Sequence, residues 1–250
     1  FLNSNSIYKK KNQNKFDLSI ILGWNNLFYL KAILYNYFFS KKLALRSENN
    51  LFKHTNIIKK ILKRITFYFL FKAFDYFLAI GKRNYDFYIN NNIKKKKIML
   101  APYSVDNNFF KKNKKNLYKI KKNLNIKKEV ILIFSGKFIK RKRPLDILKA
   151  LNLIKKFQKK YKFIFLGDGN LKKKCLKFSR DNKLKNTIFL GFINQKEIVN
   201  YYNIADIIVM PSEYETWGLS VNEAMASNCA CLVSKESGCS DDLIYTKGIN

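Results

Sequence analysis

Val130-Ile131-Leu132-Ile133-Phe134-Ser135-Gly136-Lys137-Phe138-Ile139-Lys140-Arg141-Lys142-Arg143-Pro144 is the stretch from which the rest of the chain can be read. Five apolar residues run without a polar break, so the strand they form is buried on both faces, as strands of parallel sheets are. A glycine and five cations follow at its carboxyl end, the usual ligand crevice of an open α/β sheet. Pro144 suits the first turn of a helix, where a missing N–H costs nothing. The cations suit a pyrophosphate, or they form an ordinary solvated loop in a lysine-rich chain.

The same alternation extends in both directions. Strands are expected at 17–22, 42–46, 76–80, 97–101, 130–134, 162–166, 187–190, 206–210 and 230–233. Helices are expected over 26–39, 56–74, 84–91, 195–202 and 219–227, and starting at 144 and 171. Continuous apolar strands with intervening helices mean an α/β fold with parallel sheets. The alternation pauses at Pro102–Phe110, and from there to Lys128 the chain carries nine Lys and no acid after Asp106. Two Rossmann-like domains are therefore expected: 1–104, a basic hinge or linker at 105–128, and 129–250. Both read as truncated, the first opening on polar residues before a strand, the second stopping at Gly248–Asn250.

A second cluster follows the strand at 206–210: Pro211-Ser212-Glu213-Tyr214-Glu215-Thr216-Trp217-Gly218-Leu219-Ser220-Val221-Asn222-Glu223-Ala224-Met225-Ala226. If the helix starts near Gly218–Leu219, Glu215 lies on the preceding loop and Glu223 about one turn inside, and both carboxylates can face one ligand. The free N–H groups at Gly218–Ser220, with the helix dipole, favour an anion. A carboxylate pairs well with vicinal hydroxyls, such as those of ribose or hexose. Either Glu alone reads as a loop charge or a first-turn dipole partner.

Composition sets bounds. The 250 residues are 47% hydrophobic and 16% aromatic with 9 Gly and 3 Pro, which excludes a disordered tail, a collagen-like repeat and a low-complexity linker. The net charge of +33 fits a nucleic-acid binder, an anionic membrane surface, or drift toward A/T-rich codons. Lys outnumbers Arg 44 to 6, whereas phosphate recognition favours the bidentate Arg fork. No segment resembles a nucleic-acid module, and a nucleic-acid partner is not expected. Cys175, Cys229, Cys231 and Cys239 form no C-x-x-C and His54 is the only His, so no metal site is expected. His54 reads as a surface or helix-entry residue, and Cys229 and Cys231 as core. Residues 1–15 lack the apolar core of a signal peptide, and the longest apolar tract, 65–80, is broken by Lys72 and Asp75. A cytoplasmic protein is expected. Over 56–74, Lys59, Lys60, Lys63 and Arg64 accompany Ile57, Ile61, Leu62, Ile65 and Phe69. Such a helix either packs with a solvated face or lies peripherally on the inner face of a membrane.

Gly136-Lys137 with Lys142, Leu166-Gly167-Asp168-Gly169, Leu190-Gly191-Phe192, Ala205-Asp206, Pro211-Ser212 and Glu215 with Glu223-Ala224-Met225-Ala226 come in an order that resembles glycosyltransferase family 4. The resemblance covers 129–245 strongly and 17–110 more weakly, where Pro102-Tyr103-Ser104-Val105-Asp106 is similar to the interdomain segment. It implies the GT-B fold, two Rossmann-like domains with the active site between them. It implies retaining transfer of a hexosyl unit from a nucleoside diphosphate sugar to a hydroxyl acceptor, in surface polysaccharide or glycolipid synthesis. Neither a cofactor nor a required metal is implied, and no Asp-x-Asp occurs in the chain. By the same resemblance Lys137 and Lys142, beside Gly136, would grip the donor diphosphate. Glu215 would lie beside the transferred sugar and Glu223 on the ribose hydroxyls. Trp217, Gly218 and Leu219 would bring their backbone to sugar and phosphate, and Phe192 would meet the base.

The chain departs from that pattern in places. Asn228 stands where a Gly is common, and Asn is the next best residue for a left-handed cap. Glu48 stands where many members place a His near the sugar. Gly167-Asp168-Gly169 begins like a dinucleotide fingerprint but has Lys172 in place of a third Gly, so hydride transfer is not expected. Gly23-Trp24 reads as a βα turn or as a lining of the acceptor cleft. The competing classes are a basic nucleic-acid-binding protein and a non-catalytic fragment keeping only a donor pocket.

Overall fold

The computed structural model describes residues 16–40, 42–50, 57–111 and 117–244. The chain divides into two compact units, Phe1–Pro102 and Tyr103–Asn250.

The first unit holds a four-stranded parallel sheet in the order β1 (Ser19–Ile21), β2 (Leu43–Arg46), β3 (Tyr76–Ala79), β4 (Ile98–Leu100). Helices α1 (Leu27–Phe39), α2 (Ile57–Phe71) and α3 (Lys82–Asn90) connect successive strands. Leu45, Phe77 and Ala79 of the sheet are fully buried against Phe71, Phe74, Phe87 and Tyr88. Trp24 meets Phe67 and Phe71 edge-on at 5.3 and 5.7 Å. Gly23-Trp24 is thus a βα turn whose indole anchors α2 to the sheet. The Asp75 carboxylate accepts from the Leu43 N–H at 3.0 Å and so fixes where β2 begins beside β3.

The second unit holds five parallel strands in the order β7 (Thr187–Gly191), β6 (Tyr161–Leu166), β5 (Val130–Ser135), β8 (Ile207–Met210), β9 (Ala230–Val233). Its connecting helices include α6 (Pro144–Leu153), α7 (Lys172–Asp181), α8 (Gln195–Ile204) and α9 (Leu219–Ala226). Along β5, Ile131 and Ile133 enter one buried cluster with Ile164, Leu166, Tyr202 and Ile208. Phe134 enters the other, with Phe138, Leu148, Phe163 and Phe165. Both faces of the central strands are covered, and this is why those strands read as unbroken apolar runs rather than alternating ones. Asp206 sets the register of the crossover: its carboxylate accepts from Ile131 N–H at 2.8 Å, and its carbonyl accepts from Ala230 N–H at 2.8 Å.

The observed strands and long helices lie within a few residues of the expected ones. The stretch 105–128, expected as a hinge or linker, carries α4 (Asn107–Phe110) and α5 (Leu117–Asn123) within the second unit. Asp106 caps α4 by accepting from Asn108 and Phe109 N–H, and the Ser227 hydroxyl donates to Phe110 O at 2.7 Å. Phe110 and Ile126 enter the core. The lysines around them conceal these apolar contacts in the composition.

Gly167 explains a motif that the sequence left without a role. Its φ is 130°, and an added Cβ would lie 2.0 Å from Gly136 O. The Gly-Asp-Gly turn therefore allows one loop to lie directly on another, and Phe138 N–H donates to Asp168 O at 2.8 Å across the contact. Gly167→Ala is expected to destabilise the second unit by more than about 3 kcal/mol, a clash the backbone cannot relieve. Gly136→Ala, whose methyl meets nothing closer than 3.5 Å, is expected to cost less than about 1 kcal/mol. Urea denaturation of the two variants checks this, and equal midpoints would refute it.

Candidate active site

Chain order places the reversal of strand order between β5 and β8: from β5 the chain proceeds through β6 and β7 on one side, then returns to β8 and β9 on the other. In open parallel sheets the crevice outside the carboxyl ends of such a pair is where ligands bind. Ser135 ends β5 and Met210 ends β8, so the two polar clusters read from the sequence emerge side by side. Glu213 N–H donates to Arg141 O at 2.7 Å and ties one loop to the other.

After β5, residues Lys140–Lys142 form a single 3₁₀ turn closed by Arg143 in the left-handed conformation (φ 53°). The strained residue is held by its own guanidinium, whose Nε donates to Asp146 Oδ2 at 2.7 Å, and by Pro144 at the first position of α6. This turn sends the Lys142 stem past Gly136, with Cδ and Cε 3.8 and 3.9 Å from where a Cβ on that glycine would stand. Lys142 Nζ then forms an ion pair with Glu215 Oε2, the two side chains being 15% and 10% exposed. In so little water the attraction is strong, and each charge depends on the other. Lys137 is exposed on the same loop.

Glu215 is positioned from a second direction that the sequence did not reveal. Gly238 N–H donates to Glu215 O at 2.9 Å and Cys239 N–H to Trp217 O at 3.0 Å, so the segment after β9 runs beside residues 215–217 like a short strand. The Trp217 indole is 3% exposed, donates Nε1–H to Asn222 Oδ1 at 2.8 Å, and lies 6.1 Å from the Tyr103 ring. Its side chain fastens the loop to α9, and what this position offers a ligand is backbone. Gly218 caps α9 at φ 109°, over Met210 and Cys239, where a Cβ would come within 3.0 Å of the Met210 sulfur. Leu219 opens the helix half-exposed; Val221 N–H already donates to Gly218 O at 2.9 Å, so the amides of Leu219 and Ser220 are the ones left ahead of the first bond of the helix.

Glu223, one turn into α9, accepts the Tyr202 hydroxyl on Oε2 at 2.9 Å. Burial lifts its carboxyl above the usual glutamate range, and burial lifts the Tyr202 phenol well above its own. Ser135, the residue before Gly136, lies close enough to the same phenol to counter part of that rise. Tyr202 thus stands near both Glu223 and the end of β5. Lys142, Glu215, Gly136, Gly218 and Glu223 come together around the β5–β8 edge. Phe192 is 77% exposed just past β7, at the same carboxyl edge of the sheet. Glu48 stands in the first unit, exposed after β2, and His54 lies outside the described residues.

Sequence reasoning missed Tyr202 and the 236–239 segment. A tyrosine on the core face of a helix, four residues beyond Ile198, was a signal that its hydroxyl needs a buried partner. Among the described residues no group of three His, Cys, Asp or Glu could hold a metal ion. Cys175 and Cys229 are buried, and burial pushes the Cys231 thiol up to about 12, the behaviour of core thiols rather than nucleophiles. Asn228 adopts φ 60°, the left-handed cap that the helix needs there. The arrangement as a whole can take a phosphorylated ligand bearing hydroxyls.

Residues 117–246 match the family model described as "Glycosyl transferases group 1", more than half of the chain. Over 108 residues the chain is 32% identical to the alpha-monoglucosyldiacylglycerol synthase of Acholeplasma laidlawii, covering 42% of this chain and 27% of that protein. Over 226 residues it is 28% identical to an uncharacterized 41.2 kDa protein in the cps region of Klebsiella pneumoniae, covering 87% of this chain and 60% of the other. Its fold is similar to the crystal structure of Anabaena Alr3699/HepE in complex with UDP, with a TM-score of 0.72 at 15% identity over 89% of this chain and 61% of that one. The chain thus spans less than two thirds of the length of these relatives. With two parallel α/β sheets of the GT-B class and this family match, the chain belongs to the group 1 glycosyl transferases.

Proposed function

We propose that the protein is a retaining, metal-independent hexosyltransferase that uses a nucleoside diphosphate sugar and a hydroxyl acceptor. The observation that carries this reading is the Lys142–Glu215 ion pair at the β5–β8 switch point, with Glu223 held by the Tyr202 hydroxyl one turn into α9. When the bond from the anomeric carbon to the diphosphate oxygen breaks, its electron pair leaves with the diphosphate. Lys137, Lys142 and the amides that open α9 meet that charge, and one such preorganised donor is worth roughly 3–4 kcal/mol. The acceptor oxygen bonds to the anomeric carbon with configuration kept, and its proton leaves with the departing diphosphate or to water. Glu215 orients the sugar and shares Lys142 with the phosphate, while Glu223 accepts from the nucleoside ribose hydroxyls. Gly136 lets the diphosphate approach the backbone, Trp217, Gly218 and Leu219 contribute main-chain contacts, and Phe192 meets the base. Glu48 is assigned to the acceptor side. No cofactor is called on.

The acceptor is assigned as a glycolipid or lipid-linked glycan of a surface polysaccharide. A named diacylglycerol glycoside synthase among the relatives favours it, and so does one face of α2. Ile61, Leu62, Ile65, Tyr68 and Phe69 of α2 are exposed, and Lys72 lies over the Tyr68 ring at 4.3 Å. Ile61, Arg64, Ile65, Tyr68 and Phe69 line a groove of about 500 Å³ with Asn91 and Asn92. Apolar side chains rimmed by Lys63, Arg64 and Lys72 complement an anionic lipid surface at the inner face of a membrane. Among the described residues no helix is long and apolar enough to cross a membrane.

Thermal-shift titration with UDP-, GDP- and ADP-sugars tests the donor assignment. One of them is expected to raise the melting temperature in a saturable way, and indifference to all three would overturn it. Lys137→Ala is expected to lower turnover about 10²–10³-fold with stability unchanged, because the side chain is exposed. Lys142→Ala is expected to lose turnover and also about 3–5 kcal/mol of stability, since it strands the Glu215 carboxylate. Normal turnover in Lys137→Ala with a normal melting curve would remove the mechanism. For the membrane, Phe69→Glu is expected to abolish co-flotation with vesicles containing anionic lipid. Flotation equal to that of the parent protein would exclude this face.

A further inference from the structure

Tyr202 lies outside every motif quoted above, yet it is fully buried and donates to Glu223 Oε2 at 2.9 Å. Its ring packs in the cluster of Ile131, Ile204 and Ile208 and stands 6.2 Å from Phe110. The Ser135 side chain, at the end of β5, lies near the same hydroxyl. A phenol enclosed in this way cannot follow Glu223 if the carboxylate swings. Its bond therefore fixes one carboxylate oxygen and leaves Oε1 as the oxygen a ligand can take. A free glutamate side chain loses rotamer freedom when immobilised, and a carboxylate already held loses less on binding.

We propose that Tyr202 is a positioning residue that holds Glu223 so its second oxygen meets the vicinal hydroxyls of the donor ribose. The inference rests on the nucleotide-sugar reading above. It goes beyond that reading by giving selectivity for the nucleoside to a residue that never touches it. If Tyr202 only filled space in the core, losing its hydroxyl would weaken every ligand of the site in proportion, or none. If it positions Glu223, only ligands with ribose hydroxyls suffer.

The test is isothermal titration of the parent protein, Tyr202→Phe, Glu223→Gln and the double variant with UDP, GDP, ADP and inorganic diphosphate. Melting curves confirm folding. Tyr202→Phe is expected to weaken the preferred nucleoside diphosphate roughly tenfold, the loss of one hydrogen bond to a charged group, and to leave inorganic diphosphate unchanged. Adding Tyr202→Phe to Glu223→Gln is expected to cost nothing further. Equal weakening of both ligand classes, full additivity, or no weakening at all would each overturn the inference while the nucleotide-sugar reading stands. A parent protein that binds no nucleoside diphosphate would overturn both. Should Tyr202→Phe not fold, Ser135→Ala, which changes the side chain beside the same hydroxyl, is judged by the same criteria with a smaller selective loss expected.

Discussion

Two opposite charges, Lys142 and Glu215, meet where little water reaches them, and much of the second unit is arranged so that they can. Bringing them out of water is costly unless their geometry is fixed in advance. That geometry comes from two loops on adjacent strands, each immobilised independently. A left-handed Arg143 locked to Asp146 ends one turn. A borrowed strand at 236–239 and a buried indole hold the other. The hydrogen bond from Glu213 to Arg141 then removes the remaining freedom between them. In the proposed transfer, an ammonium held beside a carboxylate at the end of a sheet would already be oriented for an incoming anion, with little reorganisation left for the moment of reaction.

The glycines and small residues serve this same constraint. Gly167 lets the turn after β6 lie against the Gly136 carbonyl, and the loop that carries the cations is braced from behind. Gly218 lets α9 begin directly over Met210, which brings the helix start and Glu223 toward the end of β5. Fold and site are consequently not separable here. A methyl group placed behind the loop would press on the backbone that carries Gly136.

How much could be read in advance differs between levels. Strands such as β5 and β6 were legible because burial on both faces demands unbroken apolar residues, a signal that the lysine-rich background cannot hide. Lys142, Glu215 and Glu223 were legible as candidates because each stands at a fixed offset from a strand end or a helix start. The short helices at 107–110 and 117–123 were not, since their apolar contacts are few and lie among lysines. Trp217 was read as a candidate for ligand contact, but its buried indole gives it a structural duty that the motif alone did not distinguish.

The amino-acid order by itself determined the alternation of elements, the parallel class of the sheets and the two clusters at strand ends, because all of these follow from local periodicity and from which residues can end a strand or open a helix. Only the tertiary structure decided that β5 neighbours β8 rather than β7, that Lys142 pairs with Glu215, and that Tyr202 reaches Glu223. These contacts join residues 21 to 75 positions apart in the chain, such as Tyr202 with Glu223 and Ile131 with Asp206. Periodicity carries no information about such pairings, which are set by how buried surfaces pack and by where each buried polar group finds its partner.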